Sequence, residues 1–147
     1  MQNRHIELTF PVVVVAAKDE GDKAGQVAGS KSNVRKFENG FEIHDVAMGK
    51  PDGKLAKPGK RIVMKYVGRL KSNGKIFDQT RGNATFAFRL GVGEVIKGWD
   101  VGVKGMRQGD KRRLVIPPQM AYGSSGVRGA IPPNAWLIFD VELGDVK

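Results

Sequence analysis

The sequence predicts an α+β domain, an antiparallel sheet folded around one short helix. Three observations carry this. Apolar and polar residues alternate in strand phase through RIVMKYVGRLK (61–71), TFAFRLG (85–91), KRRLVIP (111–117) and AWLIFDVELGDV (135–146). Asn39-Gly40 and Asn73-Gly74 supply tight hairpin turns. The stretch Gly91–Met106 places Val95, Ile96, Trp99 and Val103 at the spacing of one helical face.

Taken in order, Leu8–Ala17 is an apolar run far shorter than the ~20 residues of a membrane span. Pro11 interrupts it, and Glu7 counts against a secretory signal. Val12–Val15 reads instead as a strand-like segment or a lead-in from a longer protein. Lys18–Asn33 mixes charge with Gly, Ala and Ser and has no large apolar residue but Val27, so it reads as a disordered linker. The expected division is therefore an extension over 1–33 and one folded domain over 34–147.

From Val34, the residues Phe37, Phe41, Ile43 and Val46 flank Asn39-Gly40 and predict a hairpin or two short strands. KPDGKLAKPGK (50–60) is loop. In the next strand Ile62, Met64, Tyr66 and Leu70 share an inner face, while Arg61, Lys65 and Arg69 face out. Asn73-Gly74 turns the chain into Lys75–Asp78, and Phe86, Phe88 and Leu90 form a further strand. The helix within Gly91–Met106 is expected to be short, because glycines at 91, 93, 98, 102 and 105 oppose it, and to exist only against a sheet. In KRRLVIP, Leu114 and Ile116 face in, with Lys111 and Arg113 opposite. PQMAYGSSGVRGAIPPN is too glycine-rich for regular structure and too apolar for a spacer, the profile of a loop that lines a site. Leu137, Phe139, Val141 and Leu143 complete the inner face.

With 147 residues and no cysteine, the chain suits one domain without disulfides or thiolate chemistry. Its two histidines, His5 and His44, are far apart with no carboxylate or second histidine at ligand spacing, which gives a zinc site or a catalytic triad almost no support. Net charge is +10. Between Glu38 and Lys147 there are 19 Lys and Arg against 11 Asp and Glu, a net +8 over that stretch. Such a balance suits either a polyanion-binding surface or plain solubility.

KYVGRL, NGKIFD, FAFRLGVGEVIKGWDVGVKGM, GDKRRLVIPPQMAYG and IPPNAWLIFDVEL together resemble, in order and spacing, the FKBP-type peptidyl-prolyl isomerases, from about Phe37 to Val146. The resemblance implies five or six antiparallel strands wrapped around the short helix, with the pocket between them. It assigns catalytic roles to Tyr66, Asp78, Ile96, Trp99 and Tyr122. Trp99 would floor the site, the Ile96 N–H and Tyr122 hydroxyl would hold substrate carbonyls, and Asp78 would contact Tyr66. Phe77, Phe86, Val95, Ile131 and Phe139 would complete the binding surface. Proline-containing peptides and macrolides such as FK506 and rapamycin are the implied ligands, with no cofactor and no metal, and the protein is expected to act as a monomer. Taken singly, Trp99 could be a buried anchor, Tyr122 a loop staple and Asp78 a turn residue, and Phe88 is core. Their occurrence together in the family's order favours a site. Val127 and Ala130 replace the family's common histidine and larger aliphatic residue, and the loop Gly82–Thr85 is about one residue short.

The wording is most similar to plant nuclear and nucleolar members, which carry chromatin and histone-chaperone roles. That implies a nuclear or nucleolar location, with the cytoplasm as the alternative. A second reading is a basic nuclear module in which Arg61, Lys65, Arg69, Lys111 and Arg113 form a stripe that meets nucleic acid or chromatin.

Overall fold

A computed structural model describes residues 33–147. The readings of Leu8–Ala17 and Lys18–Ser32 fall outside the described residues. Seven strands and one α-helix follow in the order β1 (Val34–Lys36), β2 (Glu42–Ala47), β3 (Arg61–Leu70), β4 (Ile76–Gln79), β5 (Phe86–Arg89), α1 (Lys97–Gly102), β6 (Lys111–Ile116) and β7 (Leu137–Val146), with a 3-10 turn at Pro118–Met120 between β6 and β7. All pairings are antiparallel, in the order β1-β2-β6-β7-β3-β4, with β5 also on β3. The sheet has one or two strands more than the resemblance implies. Residues 34–47 make two short strands, and β5 and β4 occupy the free edge of β3 end to end.

Both Asn-Gly turns form, with Gly40 and Gly74 at φ of 94° and 76°, a region that glycine enters without strain. The alternation in the sequence becomes the core. Ile62, Met64, Tyr66 and Leu70 of β3, Leu114 and Ile116 of β6, and Leu137, Phe139, Val141 and Leu143 of β7 are all buried against the helix side. No helix among the described residues is long and apolar enough to cross a membrane.

The helix itself departs from expectation. It is six residues long, and Val95 and Ile96 precede it, with Ile96 extended at φ −61° and ψ 152°. Gly91 and Gly93 at φ of 83° and 78° turn the chain ahead of it, so the four apolar residues do not share one helical face. Their burial is nevertheless complete enough to form a floor: Val95, Ile96, Trp99 and Val103 are all in the core. The entry loop is held by Asp100, whose carboxylate accepts the Gly91 and Gly93 N–H groups at 2.8 and 3.0 Å. Burial raises the pKa of this carboxyl, and those two backbone donors oppose the shift.

Glycines let the helix approach the sheet closely. A Cβ at Gly98 would stand 2.5 Å from Ile116 Cδ1 and 2.7 Å from its Cγ2. Alanine favours a helix over glycine by ~1 kcal/mol, whereas overpacking costs ~1–3 kcal/mol. Gly98→Ala is therefore expected to destabilise, lowering the urea midpoint at unchanged m-value. A raised midpoint would show that the helix is not seated this tightly.

Candidate active site

The free edge of β3 explains where a cavity opens. β5 pairs with Arg61–Met64 and β4 with Val67–Arg69, leaving Tyr66 at the gap between them. Thr80 closes the backbone there: the Tyr66 N–H donates to Thr80 Oγ1 at 3.1 Å and the Thr80 N–H to the Tyr66 carbonyl at 3.0 Å. Beside this gap lies a cavity of about 790 Å³ between the sheet and the start of α1.

All ten residues assigned to the pocket from the sequence line it: Tyr66, Phe77, Asp78, Phe86, Val95, Ile96, Trp99, Tyr122, Ile131 and Phe139. Trp99 is at their centre, with its ring centroid 4.9 Å from Tyr66, 5.1 Å from Phe139 and 5.8 Å from Phe86. The Tyr66 and Phe139 contacts are edge-to-face, the favoured geometry for aromatic pairs. Phe88 packs 5.7 Å from Trp99 on the core side and is absent from the cavity wall, as expected. Phe77 meets Phe139 edge-on at 5.5 Å, which Gly68 permits: a Cβ there would lie 2.6 Å from Phe139 Cε1.

Polar groups reach the cavity from Asp78 to Thr85 and from two tyrosines. The Tyr66 hydroxyl donates to Asp78 Oδ2 at 2.6 Å, a charge-assisted bond that fixes both side chains in the wall. Ile96 accepts the Trp99 and Asp100 N–H groups at 3.0 and 3.3 Å, while its own N–H has no hydrogen bond among the described residues. The indole N–H of Trp99 is the buried side-chain donor left without a partner among the described residues. The flap from Tyr122 to Asn134 is braced on itself: Val127 and Ile131 exchange backbone bonds of 2.7 and 2.8 Å, and Asn134 N–H reaches the Gly123 carbonyl at 2.8 Å. Gly126 is required in it, because a Cβ would stand 2.3 Å from the Ile131 carbonyl oxygen.

Sequence reasoning missed part of the wall. Ile76, Gln79, Thr80, Arg81, Ala84 and Thr85 also line the cavity, as do Val127 and Ala130, which were singled out only as departures. A polar loop between two short strands carries no periodic signal. Arg112 was missed too. It lies two residues before inward-facing Leu114 and is buried at 7% exposure. Its guanidinium donates to Asp45 Oδ1 at 2.8 Å and to the Gly102 and Lys104 carbonyls at 2.9 and 3.0 Å, satisfying the end of α1. Burial lowers its pKa, and Asp45 opposes that.

The basic stripe is not brought to the cavity. Arg61, Lys65, Arg69, Lys111 and Arg113 alternate with the inward residues of β3 and β6, on the other side of the sheet. Asp140 of β7 runs between them, bonding Arg69 at 3.1 Å and Arg113 at 2.8 Å, and Glu142 pairs in register with both Lys65 and Lys111. Acids interleave with the cations, which gives the polyanion reading no support.

An antiparallel sheet over one short helix, enclosing an aromatic cavity at the helix start, is the arrangement of the FKBP-type peptidyl-prolyl cis-trans isomerases, whose family pattern matches residues 53–144. The chain belongs to that family. It is 52% identical over 136 residues to peptidyl-prolyl cis-trans isomerase FKBP53 of Arabidopsis thaliana, covering 86% of this chain and 28% of that protein. It is 47% identical over 117 residues to the 46 kDa FK506-binding nuclear protein of Spodoptera frugiperda, covering 80% of this chain and 28% of that one. Among solved structures, FkpA from Escherichia coli superposes with a TM-score of 0.69 at 38% identity, over 90% of this chain and 60% of that one. The chain thus spans little more than a quarter of these two curated relatives.

Proposed function

We propose that the domain over 34–147 accelerates cis-trans isomerisation of X-Pro bonds in the cavity on Trp99, and binds macrolides of the FK506 and rapamycin type there. The observation that carries this reading is one hollow holding the rings of Tyr66, Phe77, Phe86, Trp99, Tyr122 and Phe139, with Tyr66 tied to Asp78. Its volume falls within the range of small-molecule sites, ~300–1,000 Å³, ample for a proline and its neighbours.

Rotation about the prolyl amide meets a barrier of ~20 kcal/mol and takes tens of seconds unaided. No covalent bond is made or broken, so no nucleophile or base is needed. Amide resonance separates charge, and an apolar cavity disfavours the planar form relative to the twisted one. The indole face of Trp99 receives the proline ring. The Ile96 N–H and the Tyr122 hydroxyl hold flanking carbonyls, and hydrogen bonds that fit the twisted form best lower the barrier further. The nuclear names of relatives support a nuclear location.

The test is a protease-coupled assay on a short apolar X-Pro peptide. Acceleration abolished by a macrolide is expected. A folded protein that leaves the uncatalysed rate unchanged would overturn the reading.

A further inference from the structure

The chain contains seven prolines, and six lie within the described residues, where every peptide bond is trans. The seventh is Pro11, in the sequence Leu8-Thr9-Phe10-Pro11-Val12. It is preceded by an aromatic residue and flanked by aliphatic ones, the composition that an aromatic-walled cavity takes up by burying apolar area. We infer that Phe10-Pro11 of the chain itself occupies the cavity on Trp99, as a tethered substrate that competes with external X-Pro segments. The inference rests on the isomerase reading and names a first substrate for it.

Reach permits this. Pro11 is 22 positions from Asn33, whose carbonyl accepts the Asp45 N–H at 2.9 Å at the β1 edge of the sheet. At ~3.3 Å per residue, that tether spans ~70 Å. A domain of this size has a radius of gyration of ~13 Å, and a path halfway round its surface is ~55 Å. The dipeptide can therefore arrive at any point, including the far side from β1. A tether of this kind gives an effective concentration in the millimolar range. Against a binding constant of ~0.1–1 mM, typical of the weak end of enzyme–substrate affinities, external turnover is depressed about twofold to tenfold. Binding rotates the Phe10-Pro11 amide and makes or breaks no bond.

The experiment compares the full chain with its Pro11→Ala variant, which leaves every cavity residue in place. A rise in kcat/KM toward an apolar X-Pro peptide of about twofold to tenfold is expected, together with competitive inhibition of Pro11→Ala by a synthetic peptide of residues 5–15. Equal kcat/KM in the two proteins, with no inhibition by the peptide, overturns self-docking and leaves the isomerase reading intact. If neither protein accelerates the external peptide, both fail. The advantage of Pro11→Ala must be the same at every protein concentration; if it vanishes on dilution, the occupant is a second copy and the tethered form is wrong. In the labelled full chain, cis-trans exchange at Phe10-Pro11 should be faster than the uncatalysed tens of seconds and slow again with a macrolide added. Exchange at the uncatalysed rate throughout overturns the proposal.

Discussion

Trp99→Ala is expected to lower kcat/KM and macrolide affinity together, each by about 50-fold. A proline ring buries three methylenes, at ~0.8 kcal/mol each, against the floor that Trp99 supplies. Losing that contact removes ~2.4 kcal/mol, and each 1.36 kcal/mol is a factor of ten. The same substitution empties the centre of an aromatic cluster in which four rings, Tyr66, Phe86, Phe88 and Phe139, lie within 4.9–5.8 Å. A stability loss of ~3 kcal/mol should accompany it. Trp99→Leu separates the two effects, since it refills much of the volume but presents no flat ring. It should recover stability and leave activity low. If both variants isomerised peptides normally, the cavity on Trp99 would not be the site.

Arg112→Ala is expected to cost ~2–4 kcal/mol of stability, because it removes the buried partner of a pair whose carboxylate is itself only half-buried and strands two backbone acceptors. Asp45 would lose its cation, and the Gly102 and Lys104 carbonyls their donor at the end of α1. Arg112→Lys should recover only part of this. One ammonium on a flexible stem cannot reproduce a planar fork that meets a carboxylate and two carbonyls at once. The readout is the guanidinium chloride midpoint at unchanged m-value. A loss below 1 kcal/mol would mean that the buried geometry is not what seats the helix. By contrast Arg113, half exposed on Asp140, should matter little, since a surface ion pair contributes ~0–1 kcal/mol.

The contrast between Arg112 and Arg113 shows how far the chain could be read unfolded. Both sit in KRRLVIP, and strand parity alone places Arg112 with Leu114 and Ile116 on the inner face. The general rarity of buried arginine argues the other way. Only the arrival of Asp45 from β2, 67 positions away, and of two carbonyls from the end of α1 makes the burial tolerable, and no local pattern shows either. The apolar run Val95, Ile96, Trp99 and Val103 shows a related limit. Its spacing reads as one helical face, but Gly91 and Gly93 take left-handed turns that Asp100 secures, so Val95 reaches the core from a bend and Ile96 from extended backbone ahead of the helix.

The sequence was enough for most of the strands and for the apolar residues that face the core, because alternation and Asn-Gly turns are imposed by backbone geometry within a few residues. The rings of the pocket came from the resemblance of its motifs to a known family. The tertiary structure alone decided that β4 and β5 share one edge of β3 and leave Tyr66 at a gap, that the polar loop from Thr80 to Thr85 becomes a cavity wall, and that acids of β7 interleave with the basic stripe. Those features depend on register between segments tens of residues apart, and register is set by how whole faces pack, which no local pattern records.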